Sequence, residues 1–213
     1  MTSPPPGRIA RYGAATRINH WIVAISFVLL ALSGLALFHP ALFWLAALFG
    51  GGPWTRILHP FIGCFMVAAF ILLGMKLWRD NSLQPRDWTW LRKIGDVINN
   101  NEENLPEVGR YNGGQKLLYF TIVICLALLL LSGIVIWRQY FSDYFSIGVV
   151  RLGALAHAFF GFLLICSIVV HIYAGIWVKG SIRAMTRGWV TPGWAWKHHR
   201  AWLREVTKDS QQR

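Results

Sequence analysis

The sequence predicts an all-α integral membrane protein, a four-transmembrane-helix bundle with both termini in the cytoplasm. Three observations carry this reading. Mean hydropathy is +0.43 and only 14% of the 213 residues are charged, too apolar a balance for an ordinary soluble domain. Four apolar stretches, at about 22–38, 61–77, 117–137 and 152–178, each have the length a helix needs to cross a bilayer. Eighteen of the 21 Lys and Arg fall on one side of the resulting arrangement: Arg8, Arg11 and Arg17, seven within 76–116, and eight after Val178. Only Arg56, Arg138 and Arg151 fall on the other, and that asymmetry marks the cytoplasmic face.

The chain opens Met1-Thr-Ser-Pro-Pro-Pro-Gly, without an apolar h-region, so no cleaved signal peptide is expected. The first span stops at His39-Pro40. The apolar segment 41–49 is too short to cross and is expected along the outer surface, before Gly50-Gly51-Gly52-Pro53 turns the chain. The second span returns to a cytoplasmic loop, 80–114. Within it Trp90, Leu91, Ile94, Val97 and Ile98 form an i, i+3/i+4 stripe, predicting one interfacial amphipathic helix over 87–98.

The third span runs outward, and the fourth, long enough to tilt or project, comes back to a basic tail, 179–213. Together these make one membrane domain over 1–213. Trp21, Trp44, Trp54, Trp78, Trp137 and Trp177 flank span ends as an interfacial belt. Leu32-Ser33-Gly34 and Leu131-Ser132-Gly133 read as small-residue helix packing. The net charge of +12 is a topology signal and an anchor for anionic lipid headgroups, not a nucleic-acid footprint.

Histidines at span ends carry the chemistry. His157 and His171 are fourteen residues apart, which at about 100° per residue leaves them about 40° apart on one helical face and about 21 Å apart along the axis. His20 starts the first span at the depth of His171, and His59 starts the second at the depth of His157. The expected pairs are therefore His59/His157 on the outer side and His20/His171 on the inner side, each clamping the iron of one b haem.

One turn after each histidine stands a small residue: Ala24, Gly63, Gly161 and Gly175. Glycine inside a helix costs about 1 kcal/mol relative to alanine, and a flat macrocycle against the backbone gives a reason for it. Two axial imidazoles make a six-coordinate iron suited to electron transfer rather than oxygen binding. Cys64, Cys125 and Cys166 lie inside spans without a C-x-x-C-H motif, so the haems are expected to be held without thioether links.

Arg56 either pairs with an outer haem propionate or is an ordinary boundary arginine. His39 reads as interfacial, and His198-His199 carry no assigned role. Asn112, Gly114 and Gln115 read equally as hydrogen-bonding groups for a small carbonyl ligand or as a turn starting the third span with Asn112 as N-cap.

Several segments make the chain resemble the cytochrome b (gamma) subunit of respiratory membrane-bound formate dehydrogenases of the formate dehydrogenase-N type. They are Arg56-Ile57-Leu58-His59-Pro60, Val108-Gly109-Arg110-Tyr111-Asn112-Gly113-Gly114-Gln115-Lys116, Ile136-Trp137-Arg138, His171-Ile172-Tyr173, Trp177-Val178-Lys179-Gly180-Ser181 and Lys197-His198-His199-Arg200-Ala201-Trp202.

The resemblance implies two haems b on His20, His59, His157 and His171, and a quinone site around Asn112, Gly114, Gln115 and His171. It further implies electrons from a periplasmic iron–sulfur (beta) subunit, itself fed by a molybdenum- or tungsten-pterin catalytic (alpha) subunit. They would reach menaquinone or ubiquinone at the cytoplasmic side of a bacterial inner membrane, in anaerobic respiration and in a trimer of heterotrimers. This chain would not oxidise formate itself. A cytochrome b subunit of a nickel–iron hydrogenase or thiosulfate reductase is the nearest alternative. A haem-free membrane anchor or transporter is a further one, disfavoured because no acidic residue lies within any of the four apolar stretches.

Overall fold

A computed structural model describes residues 4–99 and 101–211. The first three residues of the proline-rich start, and Arg213 of the basic tail, lie outside the described residues. The helices α1 (Ala14–Phe38) and α2 (Gly52–Leu77) are followed by the short α3 (Pro85–Arg92) and α4 (Ile94–Ile98). The long α5 (Gly113–Ile136) and α6 (Ile147–Trp177) come next, then α7 (Ser181–Arg187), α8 (Pro192–His198) and α9 (Arg200–Gln211). Among the described residues four helices, α1, α2, α5 and α6, are long and apolar enough to cross a membrane, with mean hydropathies of 2.5, 2.2, 2.7 and 2.3. Each begins upstream of its apolar stretch. The first four N–H groups of a helix need partners outside its own ladder, and at α5 the Asn112 side chain supplies one by accepting the Gln115 N–H.

The chain divides into two compact units. One comprises Ile18–Gly74 and Thr121–His171. Its core is a cluster of Met66, Cys125, Leu126 and Leu164, with Val23, Phe27, Ile122 and Phe160 packed against it. Many large apolar side chains nevertheless point away from this core: Phe162 is 68% and Leu72 63% exposed. That inverted pattern suits hydrocarbon, which is as apolar as a leucine side chain.

The segment Pro40–Phe49 in this unit is a long 3₁₀-helix. The His39 Nδ1 caps it by accepting the Ala41 N–H at 3.2 Å. It ends at Gly50, whose φ of 86° lies in the left-handed region open to glycine. Leu45 and Ala46 pack with Ala36 in a small second core, so the segment lies along α1.

The other unit comprises Met1–Arg17, Met75–Phe120 and Ile172–Arg213. The two-residue strands β1 (Ile9–Ala10) and β2 (Trp189–Val190) pair antiparallel, Ile9 opposite Val190. Ala184, Val190, Ala195 and Trp202 form its core. Arg11 is buried there, its guanidinium 4.2 Å from the Trp202 ring centre and hydrogen-bonded to the Arg110 carbonyl, while Arg110 Nη2 donates to the Arg11 carbonyl at 2.6 Å. Burial lowers the Arg11 pKa.

The expected single amphipathic helix over 87–98 is instead two helices, broken at Lys93 (φ −99°, ψ 23°). Trp90, read as lipid-facing, is buried, while Ile98 is 72% exposed. The reason lies at the start of α5. A Cβ on Gly113 would stand 2.6 Å from the Asp87 carbonyl oxygen, and one on Gly114 2.9 Å from the Trp90 ring, so α3 is seated directly on the glycine pair. With Trp90 held there, and the poor helix former Gly95 just beyond, the stripe cannot continue on one face.

Candidate functional site

All four span-end histidines belong to the unit of Ile18–Gly74 and Thr121–His171. The structure brings His59 of α2 beside His157 of α6, ring centres 6.1 Å apart. It brings His20 of α1 beside His171 of α6, ring centres 6.3 Å apart. Two metal–imidazole bonds of about 2 Å each, plus the distance from each nitrogen to its ring centre, come to about 6 Å. Each pair therefore has the separation that bis-histidine ligation of one iron requires, and the donor set of two neutral imidazoles suits haem iron.

The space beside the rings fits a flat group as well. A Cβ on Gly63 would meet nothing nearer than Leu30 at 3.8 Å, and one on Gly161 nothing nearer than Leu129 at 3.9 Å; beside Gly175 there is open space. Protein packing does not demand glycine at these positions.

A different pair of glycines is held close. A Cβ on Gly34 would lie 3.3 Å from the Cε1 of His59, and one on Gly133 3.3 Å from the Cε1 of His157. The serine before each glycine touches the same ring: Ser33 Oγ is 2.8 Å from His59 Nδ1, and Ser132 Oγ is 3.1 Å from His157 Nδ1. The Ser-Gly dipeptides, read from the sequence as helix packing, are thus a seat for one histidine pair. Their recurrence in two spans was the available signal; which ring they would face was not. The other pair differs, since the His20 Nδ1 is buried without a hydrogen-bond partner.

Arg56 is exposed and lines a cavity of about 520 Å³ together with Ala36, Leu37, His39, Pro40 and Phe43. Pro60 lies inside α2 immediately after His59, so the Arg56 carbonyl has no backbone N–H at i+4. His39 caps the 3₁₀-helix. His199 is 2% exposed, and its Nδ1–H donates to the Gly109 carbonyl at 2.8 Å. Burial, and then the nearby Arg11 charge, lower its pKa to about 3, so it is neutral and structural.

Within the other unit, Asn112 and Gln115 make a reciprocal cap on α5. Asn112 Oδ1 accepts the Gln115 N–H at 2.8 Å, and Gln115 Oε1 accepts the Asn112 N–H at 3.0 Å. This engages both amide oxygens and leaves both NH2 groups as donors. Gly114 lies against Trp90. Beside this cap is a buried ion pair that sequence reasoning missed: Lys116 Nζ lies 2.7 Å from Asp87 Oδ2 and donates to the Ser82 carbonyl at 2.8 Å.

A family profile described as prokaryotic cytochrome b561 matches residues 11–188. The chain is 46% identical over 205 residues, 96% of each protein, to the formate dehydrogenase cytochrome b556(fdo) subunit of Escherichia coli K12. It is 43% identical over 198 residues to the formate dehydrogenase cytochrome b556 subunit of Haemophilus influenzae, covering 93% of this chain and 83% of that protein. It is 42% identical over 200 residues to the nitrate-inducible cytochrome b556(Fdn) subunit of E. coli K12, covering 94% and 92%.

Proposed function

The chain belongs to the prokaryotic cytochrome b561 family, and from its likeness over most of its length to formate dehydrogenase cytochrome b556 subunits we propose that it is the cytochrome b membrane-anchor subunit of a formate dehydrogenase complex. Its role is to pass electrons from an iron–sulfur subunit outside the membrane to a quinone on the cytoplasmic side. The observation that carries this reading is the pair of imidazole–imidazole separations, 6.1 and 6.3 Å, at two levels of one long apolar helix.

Haem b, when bound, supplies one-electron redox chemistry. His59 and His157 would hold the outer group, and His20 and His171 the inner. Arg56 offers a guanidinium for an outer propionate. Leu164, midway between His157 and His171 on α6, packs with Met66 and Leu126. Apolar packing along that stretch, with no acidic residue in any of the four long helices, suits transfer of electrons without a proton path.

Quinone reduction takes up protons and needs donors to the ring carbonyls. The Asn112 and Gln115 NH2 groups at the head of α5 are our candidates for that contact, on menaquinone or ubiquinone. The remaining assignments are an inner-membrane location with both termini cytoplasmic, a pterin-containing catalytic subunit beyond the iron–sulfur one, and assembly as a trimer of such heterotrimers.

The test is a reduced-minus-oxidised spectrum and haem assay on the purified complex, with identification of its subunits. Two b haems per copy of this chain, alongside formate dehydrogenase catalytic and iron–sulfur subunits, are expected. Colourless protein, or a hydrogenase large subunit in the complex, would overturn the assignment.

A further inference from the structure

We infer that Ser33 and Ser132 are positioning residues that fix the tautomer of His59 and His157 and make these two imidazoles the more electron-donating pair, so that the outer haem has the lower potential. This rests on the dihaem reading above and goes beyond it to the direction of electron flow.

The argument starts from one proton. Ser33 Oγ lies 2.8 Å from the Leu29 carbonyl oxygen and 3.2 Å from that of Leu30. Ser132 Oγ lies 2.6 Å from the Leu128 carbonyl oxygen and 3.3 Å from that of Leu129. A carbonyl only accepts, and a serine hydroxyl has a single hydrogen to donate. Each hydroxyl proton is therefore committed to its own helix. The remaining contact, 2.8 Å to His59 Nδ1 and 3.1 Å to His157 Nδ1, must run the other way, with the ring N–H donating to the serine oxygen.

A ring with its proton on Nδ1 has a bare Nε2, the nitrogen free to bind metal. Donating the Nδ1–H raises the basicity of the ligating nitrogen, and a more basic ligand favours the oxidised iron. The serines are well placed to do this. Ser33 is 0% and Ser132 7% exposed, so water does not replace them. Gly34 and Gly133 let the rings approach, since a Cβ on either would already press on Cε1 at 3.3 Å. The same dipeptide makes the same contact from α1 and from α5. The His20 Nδ1, buried without a partner, has no equivalent support. A more reducing outer site and a less reducing inner one drive electrons inward.

The competing explanation is that each serine only bonds back to its own helix, as serines in membrane helices do. Potentiometric titration of the whole complex separates the two, following each haem through its absorption and assigning the outer one from its loss in His59→Ala. In Ser33→Ala and Ser132→Ala the outer haem should stay bound and become easier to reduce while the inner stays unchanged. The double variant should shift the reduced-to-oxidised ratio roughly tenfold, about 59 mV for one electron, and Ser132→Thr should restore the value.

An unchanged outer potential in both single variants, or a shift of the inner haem instead, overturns the inference. These measurements are read on single variants that retain both haems, so a poorly assembling double variant leaves the test intact. Absence of haem from the unmodified complex would sink the dihaem reading itself, a distinguishable result.

Discussion

Lys116 and Asp87 form an ion pair 2.7 Å long in which the two side chains are only 4% and 2% exposed. Asp87 Oδ2 also accepts the Gln84 N–H at 2.7 Å, so one carboxylate caps α3 and anchors the head of α5. Removing one partner strands a buried charge. Lys116→Ala should destabilise this unit by about 3–5 kcal/mol, whereas Lys116→Met with Asp87→Asn should cost much less. Thermal unfolding of the purified complex, followed through proteolysis of the 80–114 loop, would show the difference; equal losses in both variants would refute the coupling.

The two histidine pairs should fail separately. His171→Ala is expected to remove the inner haem and quinone reduction while the outer haem remains, and His59→Ala to do the reverse. Haem quantitation with redox titration reads this directly. Loss of only the outer haem in His171→Ala would invert the assignment.

Trp90 and Gly114 fit as ring against backbone, leaving no room for a methyl group at 2.9 Å. Gly114→Ala should cost about 1–3 kcal/mol through overpacking. Combining it with Trp90→Leu, which clears the ring edge, should recover part of that loss. If the double variant is simply the sum of two destabilisations, the contact is not the reason for the glycine.

His199 makes the tail's attachment to Gly109 sensitive to acid. Its folded-state pKa of about 3 lies below the ordinary histidine value of 6.5. The unfolded chain therefore binds the proton more readily. The contribution is complete above about pH 6.5 and is lost as pH falls towards 3. Hydrogen exchange in α8 and α9 should accelerate between pH 7 and pH 5, and His199→Asn, which keeps a side-chain N–H for the Gly109 carbonyl, should flatten that dependence. A pH-independent exchange rate in the unmodified protein would contradict this.

Much of the candidate site was legible in the linear chain. His157 and His171 share a face because helical periodicity is local, and the partners His20 and His59 followed from counting membrane crossings. The Asn112 N-cap was one of two open readings, and the Asn112–Gln115 cap shows the turn while leaving two amide donors for the other. The helix over 87–98 failed for a definite reason. Its stripe suits lipid if lipid is the only apolar surface available, but Trp90 finds another in the glycine pair at the head of α5. Ser33 and Ser132 read from the sequence as packing residues, because a serine beside a glycine in a span carries no mark of the ring it will meet.

By itself the sequence determined four helices long and apolar enough to cross a membrane, the orientation to expect of them from the distribution of Lys and Arg, and the spacing that puts His157 and His171 on one helical face. Hydrophobic length, charge asymmetry and the 3.6-residue repeat are properties of neighbouring residues. Only the tertiary structure decided that Ser33 meets His59 across 26 positions, Ser132 meets His157 across 25, Lys116 meets Asp87 across 29 and His199 meets Gly109 across 90. Those meetings depend on how far each helix is rotated about its own axis and how closely its neighbours approach. Packing of whole faces sets both quantities.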